Sequence, residues 1–166
     1  MNFDNIKLLL TNKFGDNIIL GEEKTGIQPA LIIDPECIAA VCLELRDNPG
    51  TYFDFLSCLS GVDYGMEAGK FGVVYHLSSI PYQTQLTLKV IKEHNRESGE
   101  LPAFPSIARI YHTADWHERE AFDMVGIFFE GHPDLRRILL PDDWEGFPLR
   151  KDYTTVDKYY KGIKID

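Results

Sequence analysis

Residues 84–92 place the tightest constraint on the fold, because Leu86, Leu88 and Val90 alternate with Gln85, Thr87 and Lys89. Successive strand side chains point to opposite faces, so this pattern specifies a sheet with one dry face and one that is wet or covered by polar groups. Two further β-type runs, residues 52–60 and 72–79, come just before it, linked by the turn-forming stretches GVDYGMEAGK and IPYQ. A dry sheet face needs a cover, and helix signals supply one. Residues 3–14 space Phe3, Ile6, Leu9, Leu10 and Phe14 at near-helical intervals before Gly15. Asp34-Pro35 opens a second helix through Ile38, Val41, Cys42 and Leu45, which stops at Asn48-Pro49-Gly50. Between these helices, residues 17–20 and 30–33 read as a hairpin-like pair of strands around the turn-rich GEEKTGIQP. Ser106 starts a third helical region that runs with interruptions through Ala108, Trp116 and Phe122 to a stop at Gly126. This order predicts an α+β domain over residues 1–130, an antiparallel or mixed β-sheet with helices packed on one face.

Beyond Phe129 the character changes. Pro133, Pro141 and Pro148 recur among charges and scattered aromatic residues (Trp144, Phe147, Tyr153, Tyr159, Tyr160), and no period of 2 or 3.6 survives. Residues 131–166 are therefore expected to be an extended C-terminal tail that lies on a surface, with a partner as its expected support. Composition narrows the function. The net charge of −9 argues against a nucleic-acid binder, which needs a basic field. No apolar run approaches the roughly 18 residues of a membrane-spanning helix, and the first residues lack the marks of a leader, so a cytoplasmic location is expected. Cys37, Cys42 and Cys58 form no CxxC pair and read as reduced, buried thiols, too few for an iron–sulfur cluster. His112 and His117 miss zinc-helix spacing, His76, His94 and His132 are isolated in sequence, and Gly61, Gly65, Gly69 and Gly72 spell no nucleotide loop.

The stretch 114–125 shows no clean apolar stripe when wound as a helix. Asp115, Arg119 and Asp123 stand at i, i+4 and i+8, a ladder in which one arginine can pair with both aspartates. Glu118, Glu120 and Asp123 admit three readings. They form a solvated face, a carboxylate pair of a hydrolase (Glu120 with Asp123), or charges held in a packed junction, within the fold or against a partner.

One uninterrupted string decides which proteins this chain looks like: EREAFDMVGIFFEGHPDLRRILLPDDWEGFPLRKDY, residues 118–153. It resembles the signature region of the 30-kDa subunit family of respiratory complex I, also known as the C subunit, with its ERE triplet, an acidic residue three positions on, a glycine, and GHPDLRRIL-type and DWxGxPLRKD-type segments. The matching residues are Glu118, Arg119, Glu120, Asp123, Gly126, His132, Asp134, Arg136, Arg137, Leu139, Asp143, Trp144, Gly146, Pro148, Leu149, Arg150, Lys151 and Asp152. Val125 departs from it, standing where an aromatic residue is common.

The resemblance implies a non-catalytic subunit in the peripheral arm of a proton-translocating NADH:quinone oxidoreductase, on the cytoplasmic face of a bacterial inner membrane. It implies no cofactor in this chain, with FMN and iron–sulfur clusters in partner subunits, and subunits D (49-kDa), B and I as those partners. Membrane-bound hydrogenases, the methanogen dehydrogenase and the ferredoxin-driven plastoquinone reductase hold related subunits and remain open alternatives. Within the signature, Arg136 and Arg137 should point to opposite sides of an extended segment. One of them can pair with Glu118, Glu120 or Asp123, either as an intrachain clamp or beside a contact between subunits.

Overall fold

The computed structural model describes residues 2–24 and 28–154. Helix α1 (Phe3–Phe14) starts at an Asn2 cap that accepts from the Asn5 amide, and Gly15 closes it at φ 93°. A 3-10 turn leads into β1 (Ile19–Glu23), which pairs antiparallel with β2 (Ala30–Ile33). The expected strand at residues 17–20 is thus shifted along the chain: Asp16–Ile18 form the turn, and Gly21, Glu22 and Glu23, expected in the connection, belong to the strand. Asp34 caps the following turn by accepting from the Glu36 amide, with Pro35 in its first position, and α2 (Ile38–Asp47) continues from it.

Strands β3 (Phe55–Asp63), β4 (Lys70–Ser79) and β5 (Thr84–Glu93) form an antiparallel meander, and β5 then pairs parallel with β2. The sheet is mixed, ordered β1-β2-β5-β4-β3. β3 begins later than its apolar run because Tyr52 has φ 43° and the Phe53 amide donates to the Leu45 carbonyl, which ties the run's start to the end of α2. The dry face is the one read from the alternation. Leu86, Leu88 and Val90 of β5 sit opposite Leu77, Tyr75 and Val73 of β4, and all six are buried. On the other face, however, Thr87 is also buried, hydrogen-bonded to His76 Nδ1 and Gln28. Of the three thiols expected to be buried, Cys42 is, while Cys37 and Cys58 are half-buried.

Two features escaped the sequence. Residues 106–113 are turns rather than helix, and α3 (Ala114–Val125) starts only after them. Short strands β6 (Ala103–Pro105) and β7 (Phe128–Glu130) pair parallel on either side of that segment, with Phe104, Ile107, Ile127 and Phe129 buried. Helix α3 lies on β3 at Gly61, where a Cβ atom would stand 2.9 Å from Ile127 Cδ1 and 3.2 Å from Ala121 Cβ. No side chain fits that spacing without displacing the helix. Residues 131–154 contain no helix or strand.

Candidate functional site

Helix α3 carries three buried charged residues, Glu118, Arg119 and Asp123, and that is what sets it apart. They explain the missing apolar stripe: the face that looks like a solvated charge run is covered by other chain segments. The i, i+4, i+8 ladder does not form. Arg119 instead donates through Nε to the Arg136 carbonyl (3.2 Å) and through Nη2 to the Arg137 carbonyl (3.1 Å), with its guanidinium 5.7 Å from the exposed Trp116 ring. Asp123 pairs not with Arg119 but with Arg137, Nη1 to Oδ1 at 2.6 Å.

Around Asp123 the chain wraps tightly. Its Oδ2 accepts the backbone N–H groups of Ile138, Leu139 and Leu140 at 3.0, 2.7 and 2.9 Å, so three consecutive amides converge on one carboxylate oxygen. Burial alone would raise the Asp123 pKa, but these amides and the Arg137 guanidinium outweigh it and hold the carboxyl below its ordinary range. Arg137 also donates to the Trp144 and Gly146 carbonyls at 3.1 and 3.0 Å, and so fixes the next turn of the strap. Arg150 closes it by donating from Nε to Val125 O (2.7 Å) and from Nη2 to Gly126 O (3.0 Å), the orphan carbonyls at the end of α3. Phe147 is sandwiched between the two guanidinia, 5.4 Å from Arg137 and 4.7 Å from Arg150. It presses on Gly126, where φ is 72° and a Cβ would meet Phe147 Cδ2 at 2.5 Å, so glycine is required twice there.

The end of the strap is held from the sheet. Asp63, the last residue of β3, accepts the Lys151 amide at 2.9 Å and the Gly65 amide at 2.8 Å, and pairs with Arg96, whose other nitrogen reaches Asp152 at 3.0 Å. Burial would raise the Asp63 carboxyl too, yet Arg96 and the two amides keep it below the usual range. Arg96 stacks on Phe71 at 4.4 Å, and Arg150 lies 5.1 Å from the same ring.

At the other end of α3, Glu118 accepts the Ile107 amide at 2.7 Å and the Ser106 hydroxyl at 2.6 Å. So Ser106, expected to cap a helix, caps nothing and serves a carboxylate twelve residues on. Burial is the main influence on Glu118 and pushes its carboxyl up to about 7, despite the Ser106 and Ile107 hydrogen bonds that pull it down. The His132 ring, fully covered, lies beside it with Nε2 3.9 Å from Glu118 Oε2.

The side chains of Glu120 and Arg136 stand outside this network. Both are exposed, and among the described residues the Arg136 side chain pairs with Asp134 at 2.8 Å. Arg136 and Arg137 therefore point to opposite sides, as their adjacency in an extended segment requires, with Arg137 inside. The proposed Glu120–Asp123 pair is split by burial, and both Asp123 oxygens already accept hydrogen bonds, so Asp123 is poorly placed to act as a base. Residues 131–154 lie on this chain's own α3 and β3; the tail's remaining residues, Tyr159 and Tyr160 among them, lie outside the described residues.

Residues 31–159 match the model of the family described as the respiratory-chain NADH dehydrogenase, 30 Kd subunit. The chain belongs to that family. Among curated relatives, the C subunit of the NADH-quinone oxidoreductase of Chloroherpeton thalassium is 45% identical over 159 residues, spanning 95% of this chain and 62% of that protein. Its counterpart in Chlorobium phaeobacteroides is 44% identical over 158 residues, spanning 95% of this chain and 91% of its own. That of Salinispora tropica is 49% identical over 138 residues, 81% of this chain and 54% of that one. The chain thus spans about three fifths of the first relative's length. A chain of the membrane-bound sulfane sulfur reductase, an archaeal respiratory membrane complex, has the same fold, with a TM-score of 0.74 at 21% identity, covering 98% of this chain and 94% of that one.

Family membership accounts for the 118–153 string, and the geometry shows what the string does inside this chain. Phe147, Ser106, Asp63 and Arg96 belong to the same network, but the sequence assigned none of them a site role. Only Asp63 left a local signal, the Asp-x-Gly spacing of a side-chain-to-backbone turn. Among the described residues no group of three or more His, Cys, Asp or Glu side chains is arranged to hold a metal, and no helix is long and apolar enough to cross a membrane.

Proposed function

We propose that this chain is a non-catalytic, positional subunit of a proton-translocating NADH:quinone oxidoreductase, peripheral on the cytoplasmic face of a bacterial inner membrane. It supports the subunits that bear the clusters and the quinone site while electrons pass from NADH to quinone. Its partners in this reading are subunits D (49-kDa), B and I, and the FMN and iron–sulfur clusters sit in partner subunits, not here. The observation that carries the reading is the use to which the signature is put. Arg119, Asp123, Arg137 and Arg150 are bonded to backbone and to one another, which suits a part that sets shape rather than one that binds substrate. Exposed side chains on the strap's outer side, Arg136, Leu139 and Leu149, together with Trp116 on α3, offer the mixed apolar and cationic surface common where subunits meet.

The test is to tag the full chain in its own host, extract the membranes and identify what co-purifies by mass. Recovery of flavin- and cluster-bearing NADH:quinone oxidoreductase subunits, together with loss of NADH-dependent quinone reduction when the chain is deleted, is expected. Recovery of hydrogenase-type subunits, or of the chain alone, would overturn the reading.

A further inference from the structure

Glu118 is a buried carboxylate for which no lysine or arginine lies within ion-pair distance among the described residues. Its one potential cation among them is His132, which arrives from the turn after β7 and is as fully covered as Glu118 itself. The hydrogen bonds of His132 fix its resting state. Nδ1 accepts the Asp134 amide at 3.0 Å, so in the neutral ring the proton sits on Nε2, which donates to the Asp115 carbonyl at 3.1 Å. Asp115 Oδ1 stands 3.3 Å from the same nitrogen. Each partner thus ties a separate chain segment to α3: Glu118 holds residues 106–108 through Ile107 N–H and Ser106 Oγ, and His132 holds the turn that leads into the strap.

We propose that Glu118 is a buried proton-binding carboxyl that, through Ser106 and Ile107, fastens residues 106–108 to the first half of α3, and loosens them when its proton is released to solvent. Among the described residues, no other titratable group that faces Glu118 helps to keep it charged. Asp115, one turn back on α3, repels it, while Cys42 of α2 and Tyr75 of β4 offer only a buried thiol and a buried phenol whose own charged forms Glu118 disfavours. When Glu118 is protonated, Oε2 can donate to Ser106 Oγ, so the link between the two side chains is kept with its direction reversed while Ile107 N–H still donates to Oε1. When it is charged, the same pocket confines an anion with two hydrogen bonds and no fixed cation. Since burial lifts the carboxyl to about 7, the change of state falls in the neutral range.

The experiment is a titration of the isotopically labelled full chain by NMR between about pH 5 and about pH 9, reading the Glu118 carboxyl carbon and the Ile107 amide. Both should move together with a midpoint near neutrality. The exchange protection of Ile107, corrected for the intrinsic pH effect, should fall roughly tenfold across it. Glu118→Gln, which keeps the shape and cannot ionise, should abolish the Ile107 step. Asp115→Asn, which removes the repelling charge at a half-exposed position, should lower the midpoint, and it decides the matter if Glu118→Gln does not fold. A flat Ile107 signal through neutrality, a step that survives Glu118→Gln, or a midpoint unmoved by Asp115→Asn would overturn the proposal.

Discussion

Glu118 and Asp123 are both fully buried carboxylates on one helix, five residues apart, yet their surroundings drive them in opposite directions. Asp123 sits at the end of α3 where the strap wraps it, with Arg137 and three backbone amides supplying compensation for burial. Glu118 sits nearer the start, with one amide and one hydroxyl on its oxygens and the His132 ring beside it. Burial by itself is therefore not what determines the charge state; the count of donors aimed at the oxygens is. The two halves of the helix have different tasks: the C-terminal half clamps a strap permanently, and the N-terminal half holds residues 106–108 conditionally.

The largest effect expected is at the clamp. Arg137→Ala leaves Asp123 buried without its cation and frees the turn at Trp144 and Gly146, and should cost about 3–5 kcal/mol in urea unfolding. A loss below about 1 kcal/mol would remove the distinction between the two halves. Next comes Gly126→Ala, which demands a left-handed backbone of a Cβ-bearing residue and drives that Cβ into Phe147. It should cost about 2–3 kcal/mol, and Phe147→Ala in the same chain should recover part of the loss.

The pH dependence then separates the halves by sign. For Asp123 and Asp63 the folded pKa lies below the unfolded one, so their stabilisation is present above about pH 4 and is lost as the pH falls through the lowered folded values. For Glu118 the folded value lies above the unfolded 4.5, so its contribution is complete below that and is lost as the pH rises through about 7. Glu118→Gln should accordingly stabilise the chain by roughly 1–3 kcal/mol at alkaline pH and change little in mild acid, whereas Asp123→Asn should destabilise at both. The smallest effect is expected at Arg136→Ala, whose exposed partner Asp134 gives it almost no intrachain role; unfolding should be unchanged, and any defect should appear only in assembly of the complex.

Much of the body was legible in the sequence. The alternation at residues 84–92 marked the dry face, Asp34-Pro35 and Gly126 marked helix ends, and the three central strands needed only shifts of a few residues at their ends. β6 and β7 were not legible, because three-residue strands with a proline in one of them have no period to read. The site was half legible. Charge on every side of α3 left a packed junction as one of three readings, because a helical wheel carries no information on what covers a face. So the Asp115–Arg119–Asp123 ladder looked available, while the pairing chosen by the fold came from Arg137, in a stretch with no periodicity. Phe147 looked like one scattered aromatic among several until Gly126 and two guanidinia were found around it. An intrachain clamp to this helix and a contact between subunits were equally open in the sequence, and only the fold shows Arg137 and residues 138–140 on Asp123 of the same chain.

Hydrogen exchange at Ile138, Leu139 and Leu140 in the isolated full chain tests the clamp most directly. With the Asp123 carboxylate accepting all three amides inside the chain, they should be protected to a degree comparable with the amides of α3, and protection should collapse in Asp123→Ala. Exchange at open-chain rates in the isolated chain, with protection gained only in the assembled complex, would contradict an intrachain clamp and return the strap to its partners.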